Sequence, residues 1–161
     1  MTEIRIMTPE DTAWVMERHL SHYCSGEGFD SSFASLVTER LATLRSTDDW
    51  GRECGWIAWS GGSRLGSIVF SRDDPETARL RLFYVVPDVR GKGIGRALLA
   101  RLESHARACG CICLRVATHA EHREARRLYA RSGFRRGSVA PVVSFGRALT
   151  EEHWEKPLGV L

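Results

Sequence analysis

Leu82-Phe83-Tyr84-Val85-Val86-Pro87-Asp88-Val89-Arg90-Gly91-Lys92-Gly93-Ile94-Gly95-Arg96-Ala97-Leu98-Leu99 says most about how this chain folds. An apolar strand ends at Pro87, a turn follows, and a glycine-rich loop opens a helix. The first N–H groups of a helix have no partner within it and point at whatever precedes them. The helix dipole adds positive potential there, and glycines let the backbone approach an anion closely. Arg90, Lys92 and Arg96 add cationic charge. These parts make a diphosphate cradle; a tight strand–helix turn is the plain structural alternative.

Two other phosphate loops fit less well. A nucleotide-binding P-loop ends in Gly-Lys-Ser/Thr, whereas Gly95 is followed by Arg96-Ala97. A dinucleotide-binding turn reads Gly-x-Gly-x-x-Gly, whereas Gly91, Gly93 and Gly95 alternate. The acidic ribose ligand expected about 20 residues later is also missing, because that region reads as the strand Cys111–Val116.

Outward from this stretch, strand and helix signals alternate. Residues 3–7 read as a strand, and Thr8-Pro9-Glu10-Asp11 starts a helix expected to run to about Tyr23. Gly26 and Gly28 break the chain, and Asp30 caps a second helix with Phe33, Leu36, Val37, Leu41 and Leu44 at helical period. Residues 54–60 and 65–71 are strands around Ser60-Gly61-Gly62-Ser63, and Leu80 to Val86 is a third strand after the turn Asp73-Asp74-Pro75-Glu76. A helix covers Ile94–Ala108, with Ile94, Ala97, Leu98, Leu102 and Cys109 on one stripe. Then come a strand Cys111–Thr118, a helix Glu121–Arg131 stopped by Ser132-Gly133, and strands from about Phe134 and near His153–Leu158. The order β-α-α-β-β-β-α-β-α-β-β predicts an α/β (α+β) fold. Its mixed sheet of about seven strands carries helices on both faces.

At 161 residues, 43% hydrophobic and 27% charged, a single domain over residues 1–161 with a real core is expected. No apolar run approaches the ~20 residues of a membrane span, and the N-terminus lacks a basic-then-apolar signal, so a cytoplasmic protein with no membrane partner is expected. The net charge of +3 is too small to argue for nucleic acid. The basic run Arg123–Arg136 also carries Leu128, Tyr129 and Phe134, which suits a solvated face beside a core stripe. Cys109, Cys111 and Cys113 lead into Leu114-Arg115-Val116 and read as a buried strand rather than a metal site. The chain's odd total of five cysteines speaks against a disulfide framework. The five tryptophans, Trp14, Trp50, Trp56, Trp59 and Trp154, are core by default.

Arg90-Gly91-Lys92-Gly93-Ile94-Gly95 resembles the acetyl-CoA signature of the GNAT superfamily of N-acetyltransferases, Arg/Gln-x-x-Gly-x-Gly/Ala. Downstream, Ala125-Arg126-Arg127-Leu128-Tyr129-Ala130-Arg131-Ser132-Gly133-Phe134 is similar to the second GNAT signature, a helix with Leu-Tyr that ends at Gly-Phe. The likeness covers essentially the whole chain. Three further segments, Arg18-His19…Tyr23, Leu80-Arg81-Leu82-Phe83-Tyr84-Val85 and Ser144-Phe145-Gly146…Trp154-Glu155, resemble GNAT domains fused to MarR-type regulators.

The resemblance implies a GNAT fold and transfer of acetyl from acetyl-CoA, the co-substrate, to a primary amine by direct attack on the thioester. The strands before the first signature and after its helix would splay apart around the pantetheine arm. Backbone groups of Phe83, Tyr84 and Val85 would meet that arm, with the Val85 N–H as oxyanion donor. Gly91 through Arg96, Ile94 included, would hold the diphosphate. Tyr129 takes the family's general-acid position; packing in the core is its alternative. His122 stands where many relatives carry an asparagine that contacts the cofactor. The usual glutamate near Ala117 or Thr118 is absent, which leaves His119, Glu121 and His122 as polar groups able to take a proton. The first helix and its loop would wall the acceptor groove, with His19 and Tyr23 on one face and Glu27 beyond. Arg81, a charge in an apolar strand, is suited to a substrate carboxylate, as in an amino acid; a solvated arginine is the alternative. Phe145 and Trp154 close the core or the groove. A homodimer is common in the family. The competing function is a non-catalytic acyl-CoA-binding sensor.

Overall fold

The computed structural model describes residues 1–46 and 53–159. Trp50 lies outside the described residues. Strand β1 spans Glu3–Ile6. A 3-10 turn over Pro9–Asp11 leads into helix α1, Thr12–His19, which continues as a π-helical segment, Leu20–Gly26. Helix α2 covers Ser31–Ser46. Strands β2 (Cys54–Ser60), β3 (Ser63–Asp74) and β4 (Thr77–Val85) form a meander, followed by helix α3 (Ile94–Ala108). Strand β5 (Cys113–His119), helix α4 (Arg123–Arg131), strand β6 (Arg135–Ser144) and strand β7 (Arg147–Pro157) complete the chain.

The seven strands form one sheet in the order β1-β2-β3-β4-β5-β7-β6. The expected element order and layering are present. Helices α3 and α4 cover one face, where Leu98, Leu99, Leu102 and Tyr129 pack on Ile68, Phe70, Leu80 and Leu114. Helices α1 and α2 cover the other, where Val15, Phe33, Val37 and Leu41 pack on Ile57, Val69 and Leu149. On α3 the buried stripe is Ile94, Leu98, Leu99, Leu102, Glu103 and Ala106; Ala97 and Cys109 lie at its margin. Trp56 and Trp154 are core. Trp59 is half-exposed between the Arg5 and Arg64 guanidinium groups. The basic run is partly neutralised by the buried Glu152, which accepts from Arg126 Nε at 2.8 Å, Trp154 Nε1 at 3.1 Å and Arg136 at 3.4 Å. A carboxylate paired this fully is tolerated in a core.

Two departures from regular structure position the site. The first is the end of β4–β5 pairing. These parallel strands match only at Thr77–Cys113, Ala78–Leu114 and Arg79–Arg115, then diverge. The second is a bulge in β4: Ser67 opposes Tyr84 and Val69 opposes Arg81, so Leu82 and Phe83 share one partner position. Leu82 takes φ 46°, and Ser67 Oγ donates to its carbonyl at 2.9 Å. An extra residue in a strand flips the facing of all that follow. Leu80 and Phe83 pack with the α3 layer while Leu82 packs with the α1 layer.

Candidate active site

The gap between β4 and β5 is lined by backbone on the β4 side. The Val86 N–H donates to Leu65 O on β3 at 2.9 Å. Successive strand residues turn their polar groups to opposite edges. The Val85 N–H and C=O therefore face the gap, free of β3. Arg90 Nε donates to the Val85 carbonyl at 2.8 Å, and its guanidinium stacks 5.6 Å from the Tyr84 ring centre. The same group lies 3.5 Å from Glu124 on α4, so Arg90 spans the mouth of the gap.

At that mouth α3 begins. Gly91 and Gly93 hold φ of 79° and 87°, a left-handed conformation that suits glycine. Nothing lies within 4 Å of a Cβ added to either, so both border open space. Gly93 caps the helix without a side-chain hydrogen bond, which leaves the first-turn N–H groups pointing outward. Lys92 and Arg96 are exposed beside them. Gly95 is different: its added Cβ would sit 3.3 Å from Leu128 and 3.4 Å from Phe83, so it sets how closely α3 approaches α4 and β4.

Tyr129 projects from α4 into the layer under the gap, 3% exposed, with its ring 6.4 Å from Phe83 and 5.3 Å from Phe134. Among the described residues none hydrogen-bonds its hydroxyl. Burial, reinforced by the Tyr23 hydroxyl, pushes the phenol well above its usual range. Tyr129 therefore keeps its proton at neutral pH.

Opposite the cradle, side chains converge from four segments. The π-helical segment carries His22 and Tyr23 and ends in a loop where the Tyr23 carbonyl accepts from the Glu27 and Phe29 N–H groups at 3.3 and 2.9 Å. Glu27 reaches back between two imidazoles: Oε1 is 2.8 Å from His122 Nε2 and Oε2 is 3.2 Å from His22 Nε2. His122 caps α4, beyond the end of β5. Rings crowd around them, with His22 4.7 Å from Tyr23 and 5.7 Å from Tyr84, and His122 5.5 Å from Tyr23 and 5.4 Å from His119. Burial lowers the His22 imidazole, with Glu27 opposing, and lowers His119, with His122 adding to the effect. The Tyr23 hydroxyl is pushed up to about 12, first by burial and then by Glu27.

The β6–β7 tip closes this wall. Phe145 and Gly146 both take positive φ, 55° and 77°, as a two-residue hairpin turn requires. The Phe145 carbonyl accepts from the Asp30 N–H at 2.9 Å, and Arg147 donates to the Glu27 carbonyl at 2.7 Å. The Phe145 ring lies 5.0 Å from both Phe29 and Phe33.

Two expected acceptor residues stand elsewhere. His19 is 2% exposed beneath Tyr84, with Nδ1 2.8 Å from the Val15 carbonyl, so it supports the wall from inside. Continuation of α1 into the wider π-helical turn leaves His22, not His19, beside Glu27. Arg81 precedes the bulge and bonds Ser71 Oγ at 3.0 Å. Burial, then repulsion from Arg40 and Arg79, lowers its guanidinium to about 10. It stands apart from the imidazole cluster. His22 was not singled out in the sequence, because α-helical spacing pairs 19 with 23 and only the π-helical turn brings 22 to 27.

A model of the acetyltransferase (GNAT) family matches residues 23–134, and the chain belongs to that family. No curated protein is similar enough in sequence to match. Among solved structures, a putative GNAT acetyltransferase from Desulfovibrio desulfuricans aligns with TM-score 0.81 at 20% identity, covering 99% of this chain and 100% of its own. The putative acetyltransferase yncA from Salmonella typhimurium, solved with its cofactor acetyl-CoA, aligns with TM-score 0.78 at 24% identity over 98% and 94%. An IAA acetyltransferase from Bacillus cereus aligns with TM-score 0.69 at 20% identity over 98% and 100%. At these identities the likeness is one of fold.

Proposed function

We propose that this protein transfers the acetyl group of acetyl-CoA to a primary amine of a small molecule. The observation that carries the reading is the β4–β5 gap, with backbone groups on one side and Tyr129 beneath it. The residues present fit the co-substrate. Uncapped N–H groups at the start of α3, the open space at Gly91 and Gly93, and Lys92 with Arg96 suit a diphosphate. The Val85 N–H and C=O, flanked by Phe83 and Tyr84, offer the strand-like pairing that a pantetheine amide needs.

When bound, acetyl-CoA supplies an activated thioester carbonyl. The Val85 N–H donates to that oxygen as negative charge grows on it. Arg90 gives up the Val85 carbonyl and turns its charge to the diphosphate. Tyr129, protonated at neutral pH, donates to the leaving sulfur, and the proton that the attacking nitrogen sheds as the amide forms restores its hydroxyl. A free thiol has a pKa of about 8.5, and the burial that raises Tyr129 raises a thiolate's proton affinity as well. The wall from His22 to Phe145 bounds the acceptor. Arg81 stands away from that wall, so the amine need not carry a carboxylate. The five cysteines are free thiols, which suits a cytoplasmic enzyme. The three segments that resemble MarR-fused GNAT domains support membership of that subgroup.

The test is a thiol-release screen with acetyl-CoA against amino acids, polyamines, aminoglycosides and peptide N-termini. Turnover with at least one amine is expected. Tight acetyl-CoA binding without turnover across the panel would replace this reading with the acyl-CoA sensor.

A further inference from the structure

We propose that His122 Nδ1 accepts the proton of the incoming ammonium and that Glu27 is the positioning residue that makes it able to do so. This deepens the transferase reading and rests on it. An amine reaches the enzyme at neutral pH mainly as R–NH3⁺, which has no lone pair with which to attack. One N–H bond must break, the electron pair must stay on nitrogen, and the proton must find a base. The usual acidic position at the end of β5 holds Ala117 and Thr118. The carboxylate in the cluster comes instead from the loop before α2.

The tautomer follows from the contacts. A carboxylate only accepts hydrogen bonds. With Glu27 Oε1 2.8 Å from His122 Nε2, that nitrogen carries the hydrogen. The neutral ring then has its bare lone pair on Nδ1. No described residue donates to Nδ1 of His122, so the lone pair is free to take a proton. Once it does, the imidazolium faces the Glu27 carboxylate, and charge separation is held to a single short ion pair. This is the logic of a carboxylate that orients a histidine base in hydrolases, assembled from unrelated elements.

His22 shares the other carboxylate oxygen at 3.2 Å, so one carboxylate serves two imidazoles. The charges facing the bridge are Arg90 from the cradle loop, Glu121 beside His122, and Glu151 from β7, which acts on His119. Tyr23 and Tyr84 contribute ring faces. Burial, then Arg90 and the competing imidazole, favour a neutral His22, while Glu27 pulls toward the charged form. His122 is 19% exposed at its side chain, enough for the proton to pass on to water after each turnover.

The first test needs no substrate. Nitrogen-15 NMR of histidine-labelled free protein should show His122 as the Nε2–H tautomer, and Glu27→Gln, whose amide can donate, should shift it toward Nδ1–H. A wild-type Nδ1–H tautomer overturns the proposal. The second test uses turnover of the best amine from the screen. Glu27→Gln and His122→Asn should each lower kcat about 100-fold at pH 7, with acetyl-CoA affinity and melting temperature kept. An alkoxyamine probe, neutral at pH 7, needs no deprotonation before it attacks; the one proton its nitrogen sheds afterwards replaces the one that Tyr129 gives to the thiolate. Its turnover should fall less than threefold in the same variants. An equal loss for both acceptors, or wild-type kcat and pH profile in both variants, overturns the proton role while leaving the transferase reading intact. If the wild type turns over no amine, the transferase reading and this proposal fall together.

Discussion

The two sides of the β4–β5 gap are built from different materials. On the Arg90–Arg96 side the working groups are backbone N–H groups held in place by two left-handed glycines. On the His22–Phe145 side they are side chains from a π-helical segment, a loop, a strand end and a hairpin tip. A backbone site is sensitive to φ and to added charge, and indifferent to most side chains. A side-chain site is the reverse. Tyr129 sits between the two, and it is where the difference is easiest to measure.

Tyr129→Phe removes one hydroxyl and leaves the ring packed on Phe83, Phe134 and Trp154. Loss of a general acid lowers rates by about 10²- to 10⁴-fold, so kcat should fall on that scale while acetyl-CoA affinity by calorimetry holds. An unchanged kcat would remove Tyr129 from the chemistry. Gly93→Glu attacks the backbone side. At φ 87° a side chain costs roughly 1–2 kcal/mol, and the carboxylate faces the diphosphate position. Acetyl-CoA should bind about 100-fold more weakly, the strain and the charge each contributing a factor of about ten. Undiminished affinity would sink the cradle.

The same contrast explains what could be read in advance. Arg90 to Gly95 is local: six consecutive residues between a strand end and a helix start carry the loop. The elements of the sheet layer were legible too, since β5 alternates, α3 keeps a helical stripe, and β2 and β3 are apolar runs bounded by turn residues. The acceptor side was not legible in this way. Glu27 and His122 meet across 95 residues of chain, and no periodicity encodes that contact. The π-helical turn adds to the difficulty: it shifts His22 onto the face that α-helical counting gives to His19. The setting of Arg81 was hidden for a related reason: the bulge at Leu82 and Phe83 resets the facing of the residues that follow it in β4, and it is invisible without the register of β3.

His19 tests whether the wall is held from inside. Burial pulls its imidazole from 6.5 down to about 4. The unfolded chain takes up a proton near pH 6.5 that the folded chain refuses until about pH 4. Its folded value is lowered, so this group costs nothing above pH 6.5, destabilises progressively as pH falls through the window, and levels off below about 4. The full interval corresponds to roughly 3 kcal/mol. In urea melts at pH 7 and pH 4.5, His19→Leu should lose about 2 kcal/mol less between the two than the wild type does. Equal losses would mean that His19 is not held neutral by the fold.

The smallest effect sharpens the picture of Arg90. Its guanidinium is held at the gap by the Val85 carbonyl, the Tyr84 ring and Glu124. On the proposed reading, the first of these is released when pantetheine pairs with the same carbonyl. Glu124 is 73% exposed at its side chain and 3.5 Å away, so its pull on Arg90 is that of a surface pair, at most about 1 kcal/mol and screened by salt. Glu124→Gln weakens the hold without touching the cradle backbone. Acetyl-CoA should then associate about two- to threefold faster in stopped-flow at low salt, and the gain should vanish at high salt. Slower association would show instead that Glu124 keeps Arg90 aimed at the incoming diphosphate, which would make the backbone side of the gap depend on a side chain from α4.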